Sequence, residues 1–386
     1  MQSVPYILMS SIPMFICIFW AVVFLGRYSS SHLSKRILFW FMATASVLYF
    51  AHFVVFNHLY KLIPISDTIY TFATASVYPI FYLYLVALTG KLRRLHLSIL
   101  LPGALLALWI GATYTFTPQA LLRPLIEACH YESGTYPPHD LCALSLYAHQ
   151  ALKYLIVLQI LTILPAGFRR LRLFRAEVVR RYSNIENRDL RGIRLLLYAF
   201  IITSFCSLAA DLIGRAYFVD SLELMLLVLL PFSSLLFLIG YIGNNQQFTI
   251  DDLMQEVEDP VPATLPAGSA HPSRQQVMHA EIDRLMAEEQ LYLNPDLKIS
   301  DIAAHLNTNR TYIYEALRGE SPSEAFSFPD HINRFRIEHS CRLIVRRLDI
   351  ESVIYNSGFT TRSTFYKNFK KFTGLTPAQY LKKGAK

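Results

Sequence analysis

Residues 358–380 read GFTTRSTFYKNFKKFTGLTPAQY. Gly358 and Gly374 adopt positive φ without strain, so each of them predicts the end of a helix. Thr361 predicts the start of a helix after the first turn, because its hydroxyl accepts a hydrogen bond from the backbone of the first helical turn. This stretch therefore predicts a helix over 362–371 that is bounded by two turns.

The predicted helix over 362–371 is amphipathic. Its inward face carries three aromatic residues: Phe365, Phe369 and Phe372. Its outward face carries five candidate DNA-binding residues: Arg362, Ser363, Tyr366, Lys367 and Lys370. A preceding helix over 350–356, capped by Asp349, completes a helix-turn-helix pattern. Arg362, at the start of the helix, is expected to contact a guanine edge, and Lys370 is expected to contact phosphate.

A second copy of this pattern lies upstream. A helix over 301–306, capped by Ser300, is followed by a helix over 310–318, capped by Asn309. The candidate DNA-binding residues of this copy are Arg310, Thr311 and Tyr314. A long helix over 329–347 connects the copies and spans about 27–28 Å. A rod of this length can set two recognition helices about one DNA turn apart, near 34 Å.

These residues also carry a family resemblance. The 358–380 run and the upstream sequence Asn333-Arg334-Phe335-Arg336-Ile337-Glu338 resemble the signature of AraC-type transcription regulators. The resemblance covers under a third of the chain. It implies two helix-turn-helix units that bind successive major grooves of bacterial double-stranded DNA, with RNA polymerase as a further partner.

The first unit departs from the family pattern. Tyr314 and Glu315 stand where the family usually has a small residue and an arginine, and the loop over 319–326 lacks the usual glycine turn. A glutamate that faces DNA repels phosphate unless it accepts from cytosine N4. The second unit is therefore expected to be the main reader of bases. Arg336 is expected to pair with a carboxylate inside the domain.

A different composition begins upstream of this domain, which is predicted to comprise residues 274–386. Residues 244–273 contain five acidic residues, four prolines and no lysine or arginine. Such a composition predicts an acidic, proline-rich linker that is largely extended.

The first part of the chain, residues 1–243, is predicted to be a bundle of seven transmembrane helices. The whole chain is 53% hydrophobic and only 17% charged, with a mean hydropathy of +0.32, whereas soluble chains carry about a quarter charged residues. Seven apolar stretches have the length of about 20 residues that a bilayer requires, and they must be helical in lipid. They are Tyr6–Leu25, Ile37–Leu59, Ile65–Leu88, Leu95–Phe116, Leu141–Phe168, Ile193–Ile213 and Leu222–Ile242. The predicted fold class is therefore all-α throughout.

The basic residues of the loops predict the orientation in the membrane. The odd-numbered loops hold 14 lysines and arginines, whereas the even-numbered loops hold three. This bias places the N-terminus outside and the C-terminal domain in the cytoplasm of a multi-pass protein of the bacterial inner membrane, without a signal peptide. Eight arginines fall in the fifth loop; they are interpreted as anchors for anionic lipid, with a nucleic-acid patch as the alternative.

Polar residues inside the spans define a candidate signal pocket. His149 and Lys153 are four residues apart on the fifth span, and Asp211 lies on the sixth, all toward the outer side. These residues either bind a small-molecule or periplasmic signal or form an ion pair that only fixes helix packing. Cys129 and Cys142 fall at or beside the long outer loop, where they either pair in an oxidising compartment or stay reduced.

Taken together, these features predict a membrane-bound one-component transcription regulator that is controlled by a signal sensed in the membrane domain. The alternative is a transporter or membrane receptor with an appended regulatory domain that binds protein. The sequence lacks the HExxH, GxSxG and P-loop motifs, so no enzyme is predicted. We also expect no cofactor and no metal site. The expected partners are double-stranded DNA, the lipid bilayer, RNA polymerase and a second copy of the chain.

Overall fold

The computed structural model describes residues 4–26, 28, 33–131, 137–185, 188, 190–213, 222–246, 272–318 and 327–384. Within these ranges the regular elements are all helices, which confirms the all-α prediction; a single isolated bridge pairs Tyr182 with Lys298. The predicted linker falls almost wholly outside the described residues, as does the loop over 319–326.

The described residues of the N-terminal part of the chain form eight α-helices. They are α1 Val4–Leu25, α2 Leu33–Phe56, α3 Ile63–Thr89, α4 Leu101–Phe116, α5 Gln119–His130, α6 Asp140–Arg181, α7 Arg191–Ile213 and α8 Leu222–Asn245. A 3-10 helix, Arg94–Leu100, leads into α4. Helix α5 lies in the long loop between the fourth and fifth predicted spans, where no helix was predicted.

Six of the described helical segments are long and apolar enough to cross a membrane: Tyr6–Leu25, Leu33–Phe56, Ile63–Thr89, Arg94–Phe116, Asp140–Arg181 and Glu223–Asn245. Each of them overlaps a predicted span. The remaining predicted span falls on α7, a helix of 23 residues that is not among these six. The count of seven spans therefore stays a prediction.

The membrane-type helices pack through aromatic and small residues. The rings of Phe41, Phe81 and Phe200 join α2, α3 and α7, with a centroid distance of 4.5 Å between Phe81 and Phe200. A β-carbon added to Gly240 of α8 would lie 2.2 Å from the Trp20 ring of α1, so the absence of a side chain permits this close approach. Large apolar side chains face outward, as expected for a lipid-facing surface: examples are Phe15, Leu105, Leu108, Leu161 and Leu227.

Within residues 272–318 and 327–384, seven further α-helices are described, with a 3-10 helix at Leu291–Leu293. They are α9 Pro272–Glu289, α10 Ile299–His305, α11 Arg310–Arg318, α12 Phe328–Val345, α13 Ile350–Asn356, α14 Arg362–Thr373 and α15 Pro377–Gly384. The predicted caps Asn309, Asp349 and Thr361 are confirmed, since each side-chain oxygen accepts from a backbone N–H three residues on, at 2.9–3.3 Å. The cap predicted at Ser300 is wrong. Helix α10 starts earlier, and the Asp301 carboxylate accepts from the Lys298 N–H.

The long helix α12 contributes to two separate apolar cores. Phe328 and Ile332 pack in the first core with residues of α9, α10 and α11, whereas Ile337 and Ile344 pack in the second core with residues of α13 and α14. Each core therefore fixes one helix-turn-helix unit to the same rod.

The chain divides into two compact units, and the boundary falls inside α6. One unit comprises Met1–Arg172 and Leu190–Ile250, and the other comprises Leu173–Asp189 and Asp251–Lys386. The end of α6 and the residues after it therefore belong with the C-terminal helices, which the sequence did not indicate.

Candidate nucleic-acid interface

The second helix-turn-helix unit consists of α13, a short turn and α14. Gly358 in the turn has φ +78°, as its position after α13 predicted. A β-carbon at this position would lie 2.7 Å from the carbonyl oxygen of Tyr292 and 2.8 Å from that of Leu293. The turn is therefore packed directly on the 3-10 segment, and glycine satisfies both the backbone conformation and the close approach.

Helix α14 presents a polar face and buries an aromatic one. Phe365 and Phe369 have no exposed surface, and Phe372 packs against the same core. The five candidate DNA-binding residues of this helix are all exposed: Arg362, Ser363, Tyr366, Lys367 and Lys370. The structure thus brings this predicted set together on one face of one helix.

Two basic residues of α14 have acidic partners. Arg362 forms an ion pair with Glu351 of α13, and both side chains are more than 60% exposed. The Lys371 ammonium lies 2.5 Å from the Asp330 carboxylate of α12. Lys371 therefore ties α14 to the central helix, and both Lys371 and the neighbouring Lys370 are exposed.

The first unit, α10 to α11, forms its turn without glycine. Asn307 has φ +46°, a conformation that asparagine tolerates better than most residues. Thr311 of α11 is exposed, whereas Arg310 and Tyr314 are half-buried, and Tyr314 packs against the first core. The first unit therefore offers less of its predicted DNA-binding set to solvent than the second.

Comparison with known proteins agrees with this geometry. Residues 302–383 match the family described as Helix-turn-helix domain. The C-terminal domain is an AraC-type helix-turn-helix domain. It is a DNA-binding domain of the kind found in transcription regulators.

Curated relatives of this chain include two transcription regulators. The chain is 31% identical over 87 residues to the Msm operon regulatory protein of Streptococcus mutans serotype c, which covers 22% of this chain and 30% of the relative. It is 24% identical over 119 residues to the transcriptional regulatory protein HptR of Staphylococcus aureus, which covers 30% of this chain and 46% of the relative. The chain thus spans less than half the length of the curated relatives it matches. No solved structure matches the chain.

Described residues that follow the fifth predicted span contact the AraC-type domain, and we call residues 180–185 and 188 the docked segment. The Ser183 backbone N–H and hydroxyl donate to the carbonyl oxygen of Leu297, at 3.1 and 2.7 Å. Three side-chain contacts extend this attachment: Asn184 donates to Thr360 at 3.1 Å, Arg188 lies 3.1 Å from Asp296, and the Arg180 guanidinium lies 4.5 Å from the centre of the Tyr314 ring. The lipid and nucleic-acid interpretations of these arginines both missed this role.

Arg336 is the largest of the side chains that are almost fully buried in the structure, with 2% of its surface exposed. Its guanidinium donates to the carbonyl oxygens of Tyr292 and Asn294, each at 2.7 Å, and lies 3.4 Å from the Ser183 hydroxyl. Arg336 is therefore internal, as expected. Its described hydrogen bonds go to carbonyl, amide and hydroxyl oxygens, and the Asp296 carboxylate acts on it through charge. Burial lowers its pKa to about 10, so the guanidinium remains charged at neutral pH.

A second polar group in this domain joins α9 to α12. His331 Nε2 lies 3.1 Å from Asp283 Oδ1, and His279 Nδ1 lies 3.6 Å from Asp283 Oδ2. Burial lowers the pKa of His331 below its usual value. Burial works to raise the pKa of Asp283, but the hydrogen bond and charge of His331 hold it below its usual range.

Of the three residues in the candidate signal pocket, the structure describes the side chains of His149 and Lys153. His149 Nε2 lies 2.9 Å from Asp67 Oδ2, an α3 residue that the sequence did not single out. Lys153 is exposed, and the side chain of Asp211 lies outside the described part of the chain. No disulfide joins Cys129 to Cys142, two described residues that pack in one apolar cluster. Their pairing therefore stays a prediction for the oxidised protein.

Proposed function

We propose that the chain is a membrane-bound, one-component transcription regulator that binds DNA sequence-specifically and responds to a signal in its membrane domain. The observation that carries the proposal is the exposed face of α14. This face presents two lysines, an arginine, a tyrosine and a serine above a core of buried phenylalanine rings. Such a helix combines groups that read base edges with groups that bind phosphate.

Within this face, position along the helix assigns the contacts. Arg362 begins α14, where recognition helices meet base edges, and the Glu351 carboxylate holds its guanidinium at the start of the helix. Lys370 lies two turns further on, where the helix leaves the major groove and phosphate is the nearer partner. In the first unit, the corresponding DNA contacts come from Arg310, Thr311 and Tyr314, and they contribute less to base recognition.

The membrane domain supplies anchoring and sensing in this proposal. The apolar helices span the bacterial inner membrane, with the N-terminus outside and the AraC-type domain in the cytoplasm. A small-molecule or periplasmic signal acts at polar residues in the outer half of the bundle, including His149, Lys153 and Asp211.

The docked segment connects sensing to DNA binding. It is covalently continuous with α6, and it contacts both helix-turn-helix units: Arg180 contacts Tyr314 of the first, and Asn184 contacts Thr360 in the turn of the second. A signal that alters the end of α6 therefore changes the support of both units. We further propose that RNA polymerase and a second copy of the chain are partners at the promoter.

DNA selection tests the reading function. Purified full-length protein is incubated with a random duplex library at physiological salt, and the retained duplexes are sequenced. The proposal predicts one enriched motif that the Arg362→Ala variant no longer enriches to the same degree. A library that stays random would contradict the proposal and favour a transporter or receptor whose C-terminal domain binds protein.

Cysteine labelling tests the orientation. In a cysteine-free background, Asp140→Cys marks the outer side and Arg175→Cys marks the cytoplasmic side; both parent residues are exposed. An impermeant thiol reagent on intact cells should label position 140 and should reach position 175 only after lysis. Labelling of position 175 in intact cells would overturn the orientation.

A further inference from the structure

Four helices of the membrane domain bring a carboxylate, two imidazoles and a phenol to one buried point. The Asp67 Oδ2 atom lies 2.9 Å from His149 Nε2 and 3.6 Å from His130 Nε2. The Tyr114 hydroxyl lies 3.0 Å from the same oxygen and 3.3 Å from His130 Nε2. We call Asp67, Tyr114, His130 and His149 the Asp67 cluster. Its members come from α3, α4, α5 and α6.

The cluster buries a negative charge among apolar side chains. Asp67 is 2% and His130 is 4% exposed, and Tyr114 packs in an apolar cluster with Ile110, Leu125 and Ile126. Among the described residues, the ion pairs of Asp67 are with the two histidines and with no lysine or arginine. A buried carboxylate is costly unless a positive charge compensates it. The cluster therefore requires a compensating positive charge.

The hydrogen bonds of His149 indicate that this positive charge lies between His149 and Asp67. His149 Nδ1 lies 2.7 Å from the carbonyl oxygen of Ser145, which can only accept, so Nδ1 carries the hydrogen. In the neutral ring, Nε2 then directs its lone pair at the Asp67 carboxylate 2.9 Å away. Two acceptors at this distance repel each other unless a positive charge lies with them. A backbone carbonyl on the far ring nitrogen is also the usual support of a metal-bound histidine.

We propose that Asp67, His130 and His149 bind a divalent cation of the zinc class. Two imidazoles and one carboxylate are a donor set that suits Zn²⁺ and related first-row ions, whereas Mg²⁺ and Ca²⁺ prefer oxygen ligands alone. The three ligand atoms lie within 4.8 Å of one another. Metal–ligand bonds of about 2.0–2.1 Å in a tetrahedral site place ligand atoms about 3.3 Å apart, between the two measured distances to Asp67 Oδ2.

The other group of this type in the described residues is less suited to a metal ion. At His279, Asp283 and His331, the Arg334 guanidinium lies 3.5 Å from the Asp283 carboxylate. This permanent positive charge already compensates the carboxylate and repels a divalent cation. The second group therefore serves as an internal control for the first.

The experiment titrates the purified full-length protein in detergent, after chelation, with Zn²⁺ by calorimetry and with Co²⁺ by visible absorption. The proposal predicts that each protein molecule binds one metal ion tightly, and that bound Co²⁺ shows the d–d bands of a four-coordinate ion. His130→Ala, His149→Ala and Asp67→Asn should each weaken binding by at least about 100-fold, because loss of even a supporting residue costs 10–100-fold. His279→Ala is the matched control and should retain this metal ion.

Equal affinity in wild type and the His130→Ala and His149→Ala variants would overturn the proposal. Loss of binding in His279→Ala alone would also overturn it. If the variants fail to fold, the wild-type Co²⁺ spectrum decides, since the weak bands of a six-coordinate ion contradict the site. If the wild-type protein binds no metal ion, a protonated histidine compensates the Asp67 carboxylate and the proposal is wrong. The measurement uses no DNA, so its outcome and that of the proposed regulator are independent.

Discussion

The guanidinium of Arg180 lies 4.5 Å from the centre of the Tyr314 ring. Arg180 belongs to the last turn of α6, and Tyr314 belongs to α11, the predicted recognition helix of the first unit. A cation over an aromatic face is attracted by the electrons of the ring. Because Tyr314 is also a candidate DNA-binding residue, we expect the docked segment and DNA to compete for it.

Removing this contact should strengthen DNA binding. A cation–π contact at an exposed site is worth about 0.5–1 kcal/mol, so Arg180→Ala should raise the affinity of the full-length protein about two- to fivefold. Arg175→Ala is the control, because it removes the same charge from an exposed position of the same helix. Titration of the selected duplex measures both variants. Weaker binding by Arg180→Ala would show instead that Arg180 contacts the DNA.

Arg362 is expected to read a base. Arg362→Ala should weaken the free energy of binding to the selected duplex by about 1–3 kcal/mol. It should also relax the base preference at one or two positions of the motif. Glu351→Gln removes the acidic partner of Arg362 but keeps the DNA-facing guanidinium, so it should preserve the preference. Titrations on selected and scrambled duplexes distinguish these results. Equal weakening on both duplexes by Arg362→Ala would identify a phosphate contact.

Lys370 and Lys371 are neighbours with different expected roles. Lys370→Ala should weaken binding to all duplexes about equally and lower the slope of log affinity against log salt by about one. Lys371→Ala should change this slope less, because its ammonium is already paired with Asp330. Titrations at several salt concentrations measure both slopes. An unchanged slope for Lys370→Ala would exclude the phosphate contact.

Local signals in the sequence predicted the C-terminal helices well. Gly358, Asp349 and Thr361 act within one turn of their own position, so residue type alone indicates their role. Asn307 shows the limit of this reasoning. It adopts the positive φ that glycine adopts in the second unit. Because asparagine tolerates this conformation, the residue type at position 307 was compatible with a turn without glycine.

Contacts between distant segments could not be predicted in the same way. His149 was singled out, but its partner Asp67 is 82 residues away on another helix, and only the packing of the bundle brings them together. Arg336 likewise bonds to backbone carbonyls, which every residue has and no residue type marks. The docked segment was missed because its arginines also fit a membrane surface.

Arg336 should be a determinant of domain stability. Its replacement by Met leaves the carbonyl oxygens of Tyr292 and Asn294 without their donor. A buried carbonyl without a donor costs about 1–3 kcal/mol, and loss of the bond to the exposed residue Asn294 adds less. Hydrogen exchange of the full-length protein should show α12 protection reduced by about 3 kcal/mol. Arg336→Lys keeps the positive charge but not the planar guanidinium, so its loss of protection in α12 should be intermediate between those of wild type and Arg336→Met. Unchanged protection in Arg336→Met would contradict the structural role.

The most direct test of the account is genome-wide DNA occupancy of the intact protein in cells, measured on the membrane fraction after crosslinking. The account predicts a discrete set of enriched promoter sites that share one motif, and it predicts that the Arg362→Ala, Lys367→Ala double variant loses them while remaining in the membrane. Absence of enriched sites for the wild-type protein, or the same sites for the double variant, would contradict it.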